Sequence, residues 1–270
     1  MNLTLYKQML KVNLKGIMNY AVGSAFYILF MIWLYPGIGK NTDALNDLVS
    51  AMPAGVNNAF GLTNGFSNFE AFISGEYYGL ILVLILAVVC VQMSTQLMAR
   101  LVDRGSMAYL LTAPTTRRKV ATTQALVLAT ALFLIMAVTT AAGFAGNAIF
   151  LKGDYEFDSG RFLQLNTVAF LLFFAVGAIS FLVSCAANDE KKALGISGAL
   201  VFIFFTLDLL GKISDKLDAL RYFTLFTLYR PGDIVGGTAD IPQSCIVLAL
   251  VGLAAFLLGI QLFRRRDLPL

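Results

Sequence analysis

The sequence predicts an all-α polytopic membrane protein with six transmembrane helices, an N-terminal interfacial helix and an outer re-entrant or interfacial hairpin before the last span. Three observations carry this. Mean hydropathy is +0.77. Hydrophobic residues make up 58% of the 270 and charged residues 13%, about half the roughly 25% of soluble domains. Six stretches approach the ~20 apolar residues that a membrane helix requires. They are continuous rather than alternating, which excludes the strands of a lipid-facing barrel. Residues 1–270 thus read as a single transmembrane domain.

The elements follow in order. Residues 1–16 place Leu3, Tyr6, Leu10 and Leu14 on one face and Lys7, Lys11 and Lys15 on another, the pattern of a helix lying along the inner leaflet. The apolar run that follows is too long for a cleaved signal sequence. The first span is Ile17 to Tyr35, with Trp33 and Tyr35 suited to the headgroup belt and Pro36-Gly37 stopping it. The second is Glu76 to Met98, the third Val120 to Phe144 and the fourth Thr167 to Ala187. The fifth, Ala193 to Leu210, is short and carries Asp208, which can sit near an interface, line a cavity or face a neighbouring helix. The sixth is Cys245 to Phe263.

Between the first two spans, an Asn-, Gly- and Ser-rich outer loop offers Phe60, Phe66, Phe69 and Phe72 to the bundle. Residues 211–244 form an outer insertion, too polar and interrupted for a seventh span. Its turn is expected at Pro231-Gly232, flanked by Tyr229 and Arg230. Small residues mark close helix contacts at Gly75 and Gly79, Ala193 and Ser197, and Gly252 and Gly259.

Charge sets the orientation. With both termini on one side, 13 of the 20 basic residues fall in the N-terminal stretch, residues 100–119, Lys191-Lys192 and Arg264 to Arg266. Lys40 and six others lie opposite. The bias predicts cytoplasmic termini. Anionic headgroups explain such a basic surface better than nucleic acid, which is not expected as a partner.

Much chemistry is missing. There is no histidine, no G-x-x-x-x-G-K-[ST] phosphate cradle, no G-x-S-x-G elbow and no cysteine cluster. Cys90, Cys185 and Cys245 read as buried small hydrophobes. A proton-coupled carrier needs ionisable groups inside its spans, and Asp208 is nearly alone there. A secondary or partner-free carrier and, more remotely, a membrane enzyme remain as alternatives.

The inner segment 99–119 is the most informative stretch outside the spans. Met107, Ala108, Leu110 and Leu111 can form an amphipathic turn or two, Pro114 ends it, and Thr115 or Thr116 caps a helix entered through Arg117, Arg118 and Lys119. Such a helix either transmits force from a soluble partner or is a positive-inside anchor. The turn Asn188 to Lys192, with Asp189, Glu190, Lys191 and Lys192, either docks the same partner or is simply solvated.

With these features the chain resembles the membrane subunit of type-2 ABC exporters, the ABC-2 permease family, over essentially its whole length. The resemblance rests on the six spans, the basic N-terminus, the run Gly105, Leu110, Leu111, Pro114, Arg117 and Lys119, the outer insertion, and the closing Phe263-Arg264-Arg265-Arg266-Asp267-Leu268. The chain departs from the family's basic-Pro-Val-Ser-Arg flavour with Ala113-Pro114-Thr115-Thr116-Arg117.

The resemblance implies a multi-pass protein of a bacterial cell membrane that binds no cofactor and is not itself an enzyme. ATP and magnesium would sit on a separate ABC ATP-binding subunit present in two copies, alongside a second permease, identical or homologous, and membrane lipids. Arg104 to Lys119, including Arg118, would be the coupling region. Lys7 and Lys11 with residues 189–192 would add a second cytoplasmic contact, and residues 211–244 would cap the pathway. The expected cargo is an amphiphilic peptide, such as an antimicrobial peptide, a drug or a lipid-like compound.

Overall fold

The basic N-terminal stretch and the first span form one helix. The computed structural model describes residues 1–39, 47, 49–51, 53, 55, 57, 68–112, 114–153 and 155–267, and in it α1 runs over Leu3–Ile38. Asn2 fixes its start by accepting the Leu5 amide at 3.1 Å, which satisfies one of the open N–H groups of the first turn. The boundary expected at residue 16 is internal to α1, because the helix continues through Gly16 and Ile17. Packing explains this. The Asn2 amide donates to Thr123 Oγ1 at 3.0 Å and the Tyr6 hydroxyl bonds Thr130 at 2.9 Å, so the first turns are held against α4 rather than laid away from the bundle. The 36 residues of α1 rise about 54 Å, well beyond a hydrocarbon core of ~30 Å. Pro36 lies inside the last turn, where only one ladder bond is lost, and the helix ends two residues later.

The second helix, α2, spans Phe69–Asp103, starting seven residues before the expected Glu76. Asn68 caps it by accepting the Ala71 amide at 2.7 Å. Ser74–Ile81 is wound as π-helix, which widens the turn and re-aims its side chains. The helix breaks at Met98 (φ −126°, ψ −72°). There the Ala99 amide, cut off from its ladder partner, donates to Ser184 Oγ at 3.1 Å.

After Gly105, whose φ of +69° suits glycine, a short α3 covers Ser106–Thr112. Thr116 then caps α4 through the Lys119 amide. That helix spans Arg117–Leu151 and ends at left-handed Lys152 and Gly153. Asp158 caps α5, Ser159–Ala186, and Asp189 caps α6, Glu190–Ile213. The outer insertion consists of two 3₁₀ segments, Asp215–Phe223 and Leu225–Leu228, and α7, Pro231–Gly236. Proline sits in the first turn of α7 and Gly237 (φ +75°) closes it. Asp240 caps α8, Ile241–Arg265. Six helices, α1, α2, α4, α5, α6 and α8, are long and apolar enough to cross a membrane, and the described residues contain no strand.

Two close pairs form the frame: α1 lies along α4, and α8 along α5. The second pair closes on glycines. A Cβ at Gly252 would come within 3.3 Å of the Ala175 Cα, and one at Gly259 within 3.2 Å of the Leu182 Cα. α2 packs mainly on α5, while α6 leans on α2, α5 and the 3₁₀ segments at the edge. Ala193 and Ser197 are buried within the chain, so this small-residue pair serves internal packing. Cys90 and Cys185 are buried and Cys245 is half-buried. Phe69 and Phe72 rest on the bundle as expected; Phe60, Phe66, Lys40, Ala113 and Leu268 lie outside the described residues.

Candidate functional site

One end of the bundle gathers the start of α1, the α2–α3–α4 connection, the α5–α6 turn and the end of α8. This basic end brings together two of the sequence-derived segments. Glu190 sits 3.7 Å from Arg100 Nε and 3.6 Å from Arg104 Nη2, and its amide donates to Asp103 at 3.3 Å. The α5–α6 turn is thereby tied to the end of α2. These pairs are partly exposed, so each contributes little to stability, about 0–1 kcal/mol; their consequence is geometric.

A second clasp is built on Arg266. Its guanidinium donates to the carbonyls of Cys185 and Ala187, the latter at 3.1 Å, and to the Asn188 side chain. The Arg266 carbonyl accepts from Arg117 at 2.7 Å. Burial holds the Arg266 guanidinium below its ordinary pKa, and the carbonyls of the α5 C-terminus supply negative dipole ends that favour the cation. Sequence reasoning used the basic tail only to set the orientation and missed this clasp, because most of its acceptors are main-chain atoms.

The remaining predicted residues divide by exposure. Arg104, Gly105, Pro114, Arg118 and Lys119 are exposed, as are Lys7, Lys11, Lys191 and Lys192, while Asp189 is half-buried and spent as the cap of α6. Leu110 and Leu111 are partly buried and pack against the core. Met107 is fully buried and anchors α3, whereas Tyr109 is 81% exposed at its tip. Tyr109 is thus more exposed than Leu110 and Leu111, the residues of α3 that the sequence pattern singled out.

The opposite end is closed by the insertion. Tyr229 is buried, and its hydroxyl donates to the Tyr78 carbonyl in the π segment at 3.1 Å. Burial pushes the Tyr229 phenol well above its ordinary pKa, so it remains a neutral donor. Tyr78 in turn donates to Asn166 at 3.0 Å, and Tyr77 shares Ser24 with Thr139 at 2.6 and 2.7 Å. Arg161 donates to the Val235 carbonyl, fastening α7 to α5. Arg230 faces Asp233 at 3.6 Å on the surface, Pro231 is buried at the start of α7, and Gly232 follows it.

Asp208 is 3% exposed. Lys212 Nζ lies 2.6 Å away and Arg221 Nε 3.7 Å, the latter a charge contact too long for a hydrogen bond. Gly211 makes room for the Arg221 stem, since a Cβ there would fall 2.2 Å from Arg221 Cγ. Of the options open from sequence, Asp208 takes a structural one, tying α6 to the insertion, and its cluster borders a small cavity of about 30 Å³.

Two larger hollows flank α2. One, about 480 Å³, lies between α1 and α2 near the basic end; the other, about 290 Å³, lies between α2 and α6. Gln92 lines both.

No curated protein matches the chain at a significant level. The profile of the ABC-2 family transporter protein matches residues 12–268, nearly the whole bundle just described. The chain is a multi-pass membrane protein that belongs to the ABC-2 transporter family as its membrane-spanning permease.

Proposed function

We propose that this chain is the permease of an ATP-driven exporter, with the basic end in the cytoplasm and ATP hydrolysis on two separate ABC ATP-binding subunits. Two permeases, identical or homologous, would enclose the path. Tyr109 carries this reading: it is 81% exposed on a helix whose anchor Met107 is buried and whose neighbouring segments are pinned through Glu190. A partner seated on α3 therefore moves the end of α2 and the start of α6 together. The basic excess supports the cytoplasmic placement, and export of an amphiphilic peptide, drug or lipid-like compound follows from the apolar walls of the bundle.

Co-purification from native membranes tests the partnership by identifying the bound ATPase and any retained lipid or peptide. Within that complex, Tyr109→Asp is expected to leave the permease folded, because the side chain is exposed, and to lower transport per ATP hydrolysed at least about tenfold, a loss equivalent to roughly 1.4 kcal/mol of coupling. Unchanged coupling removes α3 as the docking element.

A further inference from the structure

The hollow between α1 and α2 has an unusual lining for a groove between two apolar helices. Asn13, Asn19, Tyr20, Gln92 and Gln96 border it, with no Asp, Glu, Lys or Arg among the lining residues. Tyr20 donates to Gln92 Oε1 at 2.7 Å and the Asn13 amide to the Met9 carbonyl at 2.8 Å. That leaves the Gln92 N–H groups and both ends of the Gln96 and Asn19 carboxamides without partners among the described residues. Carboxamides donate and accept at once, and open donors and acceptors side by side on half-exposed groups favour a ligand that does the same. A phosphate or ammonium would bring a charge that no lining residue neutralises.

The second hollow lies on the neighbouring side of α2 and meets the first at Gln92, which lines both. Val83, Ala87, Val88 and Val91 line it from α2, with Phe202 and Phe205 from α6. From Gln92 back to Val83 is nine residues, about 13.5 Å of helix, over which the wall changes from amide to hydrocarbon. The polar part lies toward the basic end, as the head of an inner-leaflet amphiphile would when its tail points to mid-membrane.

We infer that these two hollows form one site for an amphiphile with an uncharged, hydrogen-bonding head of amide or hydroxyl type. The head lies among the carboxamides of α1 and α2, and the tail lies between α2 and α6. As the entry point of a transported molecule, the site rests on the export reading above; as a binding site it stands on the lining alone.

The test uses the full chain in phosphatidylcholine nanodiscs. Two photo-probes share one diazirine-bearing acyl chain: a monoacylglycerol, and a lysophosphatidate that differs by its phosphate. The expected result is labelling of residues 83–91 and 198–205 by the neutral probe, about tenfold above the phosphate probe and lowered about tenfold by Gln92→Leu with Gln96→Leu. Gln96→Lys should turn the preference toward the phosphate probe, a gain that misfolding does not produce. Equal labelling by both probes, labelling indifferent to these substitutions, or cross-linking through Asn19 that finds the groove closed by a second copy would each overturn the site. ATP-driven transport of the neutral probe in the complex is scored separately. Labelling without transport keeps the site and removes its role in export, whereas transport without labelling removes the site alone.

Discussion

Replacing Tyr229 isolates the bond that fastens the outer insertion to the π segment of α2. The ring is 3% exposed and its hydroxyl lies 3.1 Å from the Tyr78 carbonyl. Tyr229→Phe keeps the ring in place and deletes only the donor. A net hydrogen bond contributes about 1 kcal/mol in proteins generally and about 0.6 kcal/mol on average between membrane helices. The expected loss is therefore about 0.5–1.5 kcal/mol, read as a fall of a few degrees, since about 2–4 °C accompanies each kcal/mol in chains approaching this size. Tyr229→Ala also removes the buried ring, for which core truncations give about 3–5 kcal/mol. Thermal unfolding of the full chain in nanodiscs measures both losses, and limited proteolysis after residue 213 reports release of the insertion. Wild-type melting of both variants, with the insertion still protected, would refute the view that this phenol holds the outer end closed.

Three further outcomes follow from the packing and the charges. Gly252→Ala places a Cβ 2.5 Å from the Phe174 ring and 3.3 Å from the Ala175 Cα; about 1–3 kcal/mol of destabilisation is expected from overpacking, and unchanged melting would contradict the close α5–α8 contact. Glu190→Ala removes both arginine pairs at once. It should shift stability by no more than about 2 kcal/mol while lowering transport per ATP in the complex, and intact coupling would show that the tie between α2 and α6 carries no force. Asp208→Ala leaves Lys212 and Arg221 facing each other in a buried setting, for which about 3–5 kcal/mol is the usual loss. A differential melting scan showing less than about 1 kcal/mol would mean that the cluster is solvated rather than buried.

The spans were legible because a continuous apolar run has few alternatives to a membrane helix. Their ends were not. Gly16 read locally as a boundary, yet α1 passes through it, with contacts of Asn2 and Tyr6 holding the first turns on α4; Pro36 falls in the last turn, and the helix ends two residues after it. The break at Met98 has no sequence signal at all; it exists because Ser184, 86 positions along the chain, offers its oxygen to the Ala99 amide. At the candidate site, the charges were visible but not their partners. Glu190 stood in a turn that could dock a partner or be solvated, and Arg266 counted only toward the orientation, until folding placed two guanidiniums beside the first and carbonyls beside the second. Exposure separated Tyr109 from Leu110 and Leu111, a distinction that a seven-residue helix is too short to show by periodicity. Gln92 and Gln96, four apart within an apolar run, were the available signal for the groove.

The distribution of these ties says which helices a push at the basic end can move. The α1–α4 and α5–α8 pairs are joined along their lengths, the second through glycines that leave no slack. α3 belongs to neither pair; it follows the end of α2 through a link in which Arg104 pairs with Glu190 of the first turn of α6. Under the proposed coupling, displacement of α3 is delivered to α2 and α6 and only weakly to the rest. Those two helices form the walls of the apolar hollow, and α2 forms one wall of the carboxamide groove. At their far ends both are held by the insertion, α2 through Tyr229 and α6 through Arg221. Motion driven at the basic end therefore changes the width of the hollows before it reaches the cap. Under the same coupling, the cap would yield only when the Tyr229 bond and the Asp208 cluster give way.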